Sequence, residues 1–159
     1  MQKHARFLFF FFLPFIALAV RSMQGQCQPS APLVKALQAL PTQATGPALR
    51  RTEGLAYLDI HCFDEARAAF QKELDEASRI EPDKRASQTR LATILLDLTT
   101  AFEDWHNGDL KEAKDILISL SDPGMPTLVN TRAIFALAEL LMQSPDPAAW
   151  SQLEPKLKI

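Results

Sequence analysis

The sequence predicts an all-α fold, and three observations support this prediction. Apolar residues recur at spacings of three and four along most of the chain after residue 46, as they do on one face of a helix. Proline- and glycine-containing breakers separate these stretches. No segment alternates with period two for long enough to indicate a sheet. We therefore expect a series of helices joined by short turns.

The first two predicted helices run from about residue 47 or 48 to Ile60, and from Phe63 to Ser78. The apolar residues of the second helix lie three and four positions apart, so they form one continuous stripe. Pro82 ends whatever remains of this helix, because a proline cannot continue the helical hydrogen-bond pattern.

A longer helix of about six turns is expected next. Asp83 is the predicted N-cap, because its carboxylate can accept hydrogen bonds from free N–H groups of the first turn. Asn107-Gly108 is the predicted end, since glycine commonly follows the last helical residue. The apolar residues from Leu91 to Trp105 again recur at three and four.

Three further helices complete the predicted domain. The first carries a stripe from Leu110 to Leu120, and the breaker at 122–126 follows it. The second, from Leu128 to Met142, is nearly apolar on all sides, and a helix of that kind is usually buried between neighbours. The last begins at Asp146-Pro147, because proline is tolerated in a first helical turn.

Residues 1–22 have the pattern of a secretory signal peptide. They contain three basic residues and no acid, and residues 7–20 are apolar apart from Pro14. Those fourteen residues would span only about 21 Å as a helix, which is short of a ~30 Å hydrocarbon core. We expect a mature chain that begins between residues 20 and 27 and is periplasmic or secreted. The alternative is an uncleaved N-terminal membrane anchor.

The rest of the chain divides into a tail and a domain. Residues 23–46 form a flexible tail, with enough apolar residues for a short helix at 33–40, and residues 47–159 form the helical domain. Without residues 1–22 the chain keeps 14 of its 17 basic residues against 19 acidic ones, a net charge of −5. This balance argues against a nucleic-acid partner, which requires a basic surface.

The two cysteines leave two interpretations open. In an oxidising compartment Cys27 and Cys62 can pair. Cys27, however, lies in the tail, while Cys62 lies inside a predicted helical segment. Because cysteine is among the residues most often buried, we expect Cys62 to be buried and unpaired.

The sequence contains no recognisable catalytic or cofactor-binding motif. His61 and His106 lie at predicted helix ends, where a cation is favourable, and no second Cys/His pair completes a metal site with His61-Cys62. The acids around Trp105 are expected to form a solvated helix end. We therefore expect no enzymatic activity, no metal and no cofactor.

Two helix junctions have the same pattern when they are aligned on Ala66 and Ala113. Each has an apolar residue three positions before the alanine, a glutamate directly before it, and a large apolar residue four positions after it (Phe70 and Leu117). This pattern resembles the tetratricopeptide repeat (TPR). In the first unit four residues match the family's spacings, and in the second unit three match in kind: Gly54, Tyr57, Ala66 and Phe70, then Ala101, Ala113 and Leu117. A third unit would pair the 128–142 helix with the last helix.

The sequence also departs from the family pattern. Arg50 and Glu53 stand where the first unit should have its tryptophan and leucine. The step from Ala66 to Ala113 is 47 residues, against about 34 in the family. The long helix after Pro82 can hold the additional residues.

The resemblance implies antiparallel helix hairpins that stack as a short, TPR-like α-solenoid. It also implies a concave groove, lined by the first helix of each unit, that binds extended peptides or other helices. Carried over by position, the groove residues are Arg51, Leu55, Leu58 and Asp59 from the first unit, with Trp105 and His106 from the second. Leu98 and Phe102 are expected to be core residues. Gly54 is expected to lie at a close contact between the first two helices.

These patterns predict an exported helical-repeat adaptor or scaffold whose partner is a protein or peptide. The alternative is a membrane-anchored structural or envelope-assembly component with no independent groove. Membrane contact is expected only if residues 1–22 stay attached. Self-association is a further expectation, because short repeat arrays often need it to cover their ends.

Overall fold

A computed structural model of the chain describes Cys27, Lys35, residues 46–143 and residues 147–157. It contains six helices from residue 47 onward: α1 (Pro47–Leu58), α2 (Phe63–Ala77), α3 (Pro82–Asn107), α4 (Leu110–Leu120), α5 (Thr127–Gln143) and α6 (Pro147–Leu157). These described ranges contain no strand, so the all-α prediction is confirmed. The predicted signal peptide at 1–22 lies outside the described residues, as does most of the tail at 23–46 with its expected helix at 33–40.

The ends of the helices follow local chemistry. Gly108 ends α3 with φ +90°, a left-handed conformation that suits glycine because it has no Cβ. The prediction that Asp83 caps α3 is wrong. Pro82 begins the helix, since its fixed φ suits the first turn, and Glu81 is the N-cap. Asp83 lies inside the first turn, where its negative charge still interacts favourably with the helix dipole.

The helices pack mainly against their neighbours in the sequence. Each helix contacts the next one along the chain, and α3 also contacts both α1 and α5. The core between them is formed by fully buried side chains from all six described helices, and its large apolar members are Leu58, Phe70, Leu95, Leu98, Leu117, Leu137, Leu140, Leu141 and Leu153. Leu153 brings α6 into this core. None of the described helices is long and apolar enough to cross a membrane.

Gly54 lies at a close contact between α1 and α2. A Cβ atom placed on Gly54 would lie 2.7 Å from Cδ1 and from Cζ of Phe70, and closer still to Cε1. The Phe70 ring is fully buried, so it has little room to move away. The other residues matched to the repeat pattern also lie inside: Ala66, Ala101, Ala113 and Leu117 are fully buried, and Tyr57 packs against the core.

Helix α5 differs from its prediction. Its apolar composition predicted a helix buried on all sides, and Leu137, Leu140 and Leu141 are indeed buried. Phe135 and Met142, however, are 70% and 69% exposed. The reason is that the neighbours described around α5 cover only part of its circumference, which leaves one face of an apolar helix in solvent.

The cysteines form a disulfide. Cys27 and Cys62 are bonded, with their Cα atoms 5.4 Å apart, a normal separation for a disulfide. Cys62 is 5% exposed, so its expected burial is confirmed, but the prediction that it is unpaired is wrong. Cys62 is the N-cap of α2 and not an interior helical residue. Its side chain can therefore bond to the tail.

Candidate partner-binding groove

A cavity of about 580 Å³ opens between the C-terminal ends of α1 and α3 and the exposed face of α5. Every described residue that lines it belongs to one of these three odd-numbered helices or to the turn after α1. Helices α1 and α3 and the turn after α1 contribute six residues: Leu58, Asp59, His61, Phe102, Trp105 and His106. We call this cavity, together with the face of α5 that borders it, the groove.

The floor of the groove is apolar. Leu58 is fully buried and Ala136 is 5% exposed. The rings of Phe102 and Trp105 lie edge to face, with their centroids 6.3 Å apart, and both pack against the core while they line the cavity. The indole Nε1 of Trp105 donates to Oε1 of Gln143 at 3.4 Å, which links the end of α3 to the end of α5. Trp105 thus presents an apolar surface with its N–H already partnered.

Three rings gather at one edge of the groove. The centroids of His61 and His106 lie 5.5 Å apart, and Phe63 lies 5.8 Å from the first and 5.7 Å from the second. His61 has φ +60°, a left-handed conformation that is uncommon for a residue with a side chain. The α1–α2 turn adopts this conformation and, with it, places His61 beside the end of α3. Both histidines are exposed.

An ion pair crosses the groove from α1 to α5. Nη2 of Arg132 donates to Oδ2 of Asp59 at 3.2 Å, and Nη1 of Arg132 donates to Oδ1 of Asp59. Glu139 lines the same cavity but has no hydrogen bond or ion pair within the described part of the chain. Besides its two histidines, the groove therefore carries two carboxylates and one guanidinium, and of these three Glu139 alone is unpaired among the described residues.

The face of α5 that borders the cavity is a regular stripe. It consists of Leu128, Arg132, Phe135, Glu139 and Met142, at successive spacings of four, three, four and three, which places them on one side of a helix. Its apolar members are 40%, 70% and 69% exposed, in chain order. We call these five residues the α5 stripe. Large apolar side chains exposed along one helix face in this way are typical of interaction surfaces.

Four of the six groove residues expected from the sequence line this cavity: Leu58, Asp59, Trp105 and His106. Leu55 does not line it and packs against the core. Phe102, expected in the core, packs there and also lines the cavity, whereas Leu98 is fully buried. Sequence reasoning did not find Arg132, Phe135 and Glu139. The signal was present as the seven-residue spacing of Leu128, Phe135 and Met142.

Arg51 has another role than the one expected from its position. Its Nε donates to Oε1 of Glu73 at 2.9 Å, its Nη2 donates to the same oxygen at 2.5 Å, and Nη2 also donates to Gln88. Glu73 is fully buried, and its Oε2 has no hydrogen-bond partner. Burial raises the pKa of Glu73, and the hydrogen bonds from Arg51 oppose that rise. Arg51 is therefore the counter-ion of a buried carboxylate between α1 and α2.

Two of the acids near the end of α3, Glu103 and Asp104, are only partly exposed, whereas Asp109 is exposed. Burial raises the pKa of Asp104, and the nearby charges of Asp109, Glu103 and Glu112 raise it further. Glu103 is paired with Arg67 of α2. This pairing ties the acidic end of α3 to the neighbouring helix.

Potential metal ligands also meet at the disulfide. The sulfur atoms of Cys27 and Cys62 and a carboxylate oxygen of Glu65 lie within 4.8 Å of one another. The disulfide occupies both sulfurs, and a cysteine must be a free thiolate to bind a metal. In the disulfide form this cluster therefore offers only one carboxylate.

Comparison with known proteins gave no further assignment. No protein-family model matches the chain, and no curated protein or solved structure matches it. What the groove binds must be argued from its own geometry and chemistry.

Proposed function

We propose that this chain is an exported helical-repeat module that binds a protein partner in the groove between α1, α3 and α5. One observation carries the proposal. The described residues that line the cavity all belong to α1, α3, α5 or the turn after α1, and Phe135, at its edge, is 70% exposed. A large aromatic side chain beside an open cavity is the kind of residue that anchors a protein interface.

The packing of the helices supports a short TPR-like solenoid. Stacked hairpins place the first helix of each unit next to the first helix of the following unit, so these helices share one surface. Helices α1, α3 and α5 have this relation, since α3 contacts both of the others. The Gly54–Phe70 contact between α1 and α2 also fits, because it joins two of the residues that match the family's spacings.

The lining of the groove suits recognition of a polypeptide. Aromatic residues and arginine are enriched in protein interfaces, and here Phe102, Trp105, Phe135 and Arg132 line one cavity. The Asp59–Arg132 pair fixes two of the polar groups in place before a partner arrives. A binding role needs no acid, base or nucleophile in the groove, and we propose an adaptor and not an enzyme.

Two observations support export to an oxidising compartment. The first is the basic, acid-free and apolar pattern of residues 1–22. The second is the Cys27–Cys62 disulfide, because such bonds persist in the periplasm and outside the cell but are rare in reducing compartments. We place the mature protein in the periplasm or among secreted proteins.

The proposal can be tested with two matched variants of the full chain. Phe135→Ala removes an exposed aromatic from the groove, and Leu110→Ala removes a 37% exposed leucine from α4, outside the groove. We expect Phe135→Ala to melt within a few degrees of the parent, because truncating an exposed side chain changes stability by about 0.5 kcal/mol or less. We expect it to lose partners that the parent and Leu110→Ala both recover from an envelope extract. If all three proteins recover the same partners equally well, the groove is not the binding surface.

A further inference from the structure

The α5 stripe has a spacing that matches a second helix. Leu128, Phe135 and Met142 follow each other at intervals of seven residues, the interval at which two packed helices meet repeatedly. At about 1.5 Å per residue the stripe is about 21 Å long, which is the length of two helical heptads. An extended peptide has a repeat of two residues and would not meet these three side chains in register.

We infer that the partner segment is an amphipathic helix that lies along the α5 stripe and places a lysine or arginine against Glu139. The inference rests on the proposed binding function of the groove and adds the shape and charge of what binds there. It needs only non-covalent contacts: apolar side chains of the partner on Leu128, Phe135 and Met142, and a cation on Glu139.

The charges of the groove select a basic partner. Arg132 already donates two hydrogen bonds to Asp59, whereas Glu139 has no partner within the described residues. The remaining titratable groups that line the cavity are His61 and His106. A partner carboxylate would meet the unpaired charge of Glu139, but a partner ammonium or guanidinium would pair with it beside the rings of Phe135 and Trp105, which also favour a cation.

A second copy of this chain fits the stripe less well. Two stripes paired antiparallel about Phe135 would bring Leu128 of one copy near Met142 of the other. They would also bring Arg132 near Glu139, but Arg132 already binds Asp59. A pairing confined to the two stripes would leave uncovered the residues of α1 and α3 that line the cavity. A helix inserted in the groove gains contacts with α1 and α3 as well.

Two synthetic helical peptides test the inference against the disulfide-bonded mature chain. Both carry leucine every seventh residue on the same apolar face, and their flanking positions are lysine in one and glutamate in the other. Binding is followed by the fluorescence anisotropy of a labelled peptide. We expect the lysine peptide to bind at least tenfold more tightly than the glutamate peptide. Glu139→Gln should weaken the lysine peptide about two- to fivefold, which is the range for an exposed ion pair.

Two further variants separate the possible failures. Glu112→Gln, which removes an exposed carboxylate from α4, should leave the affinity for the lysine peptide unchanged. Phe135→Ala should weaken it about tenfold or more, as the loss of an aromatic anchor does. If Phe135→Ala binds like the parent, the groove itself is not the binding surface, and the proposed function fails with it.

Other outcomes overturn only the inference about the partner. If Phe135→Ala abolishes binding but both peptides bind the parent equally, the groove stands and the basic partner is wrong. If neither peptide binds the parent, the inference that the partner is an amphipathic helix is wrong. A concentration-dependent dimer of the parent that dissociates in Phe135→Ala, seen by sedimentation, would assign the stripe to a second copy of the chain and overturn the inference in that way.

Discussion

Replacement of Gly54 by alanine should strain the contact between α1 and α2. The added methyl group would lie 2.7 Å from Cδ1 and from Cζ of Phe70 and closer to Cε1, which is well inside the usual 3.5–4.0 Å separation of carbon atoms. Phe70 is fully buried, so its ring cannot move into solvent to relieve the contact. Either α1 must move away from α2, or the ring must leave its preferred position.

Two effects of opposite sign set the size of the change. Overpacking in a core costs about 1–3 kcal/mol, and the severe overlap here favours the upper part of that range. Alanine in place of glycine inside a helix stabilises it by about 1 kcal/mol. We therefore expect Gly54→Ala to lower the free energy of unfolding by about 1–2 kcal/mol. Gly54→Leu should lower it further, because leucine adds three more carbon atoms at the same place.

A double-mutant cycle with Phe70→Leu isolates the steric part. In the parent, Phe70→Leu removes buried contacts and destabilises the fold, whereas in the Gly54→Ala background it also relieves the overlap. The two changes should therefore be coupled by about 1–2 kcal/mol in urea denaturation, with the double variant more stable than the sum of the single effects predicts. Additivity within about 0.5 kcal/mol would refute a close contact between residues 54 and 70.

Three other predictions follow from the ion pair in the core and from the N-terminus. Arg51→Ala should lower the free energy of unfolding by about 2–4 kcal/mol at pH 7, because it leaves the buried carboxylate of Glu73 unpaired. Asp59→Ala breaks an exposed ion pair and should lower the free energy of unfolding by less than about 1 kcal/mol. Burial raises the pKa of Glu73 in the folded chain above its ordinary 4.5, so its contribution to stability is largest at low pH and falls as the pH rises from 4.5 through the folded-state pKa. The stability of Glu73→Gln relative to the parent should therefore increase with pH across that window, and a constant difference would contradict the raised pKa. If the protein is exported as proposed, N-terminal sequencing should give a start between residues 20 and 27 that keeps Cys27, and a start at Met1 in the membrane fraction would contradict cleavage.

The helices could be predicted because their signals are local. The α2 stripe lies within sixteen residues of sequence and needs no knowledge of the neighbours, and its predicted end at Ser78 is one residue from the observed end at Ala77. The start of α3 was harder to predict, because the adjacent residues Pro82 and Asp83 each favour a different first residue of the helix. Pro82 in the first turn takes precedence over capping by Asp83, because the proline fixes its own φ.

The groove could be predicted only in part, because a helix periodicity does not show which neighbour covers each face. Arg51 and Asp59 lie on the same helix or at its end, yet one meets Glu73 across the α1–α2 contact and the other meets Arg132 across the groove. Those pairings join residues 22 and 73 positions apart in the sequence. The exposed face of α5 could not be predicted for a similar reason, since an apolar helix is equally consistent with complete burial.

The most direct test of the central claim is site-specific photo-cross-linking in the cell that produces the protein. A photoreactive phenylalanine analogue at position 135 lies in the groove, and the same analogue at position 110 lies on α4 outside it. The proposed function predicts a cross-linked product of discrete mass from position 135 that is absent from position 110. No product from position 135, or the same products from both positions, would contradict the claim that the odd-numbered helices hold a protein partner.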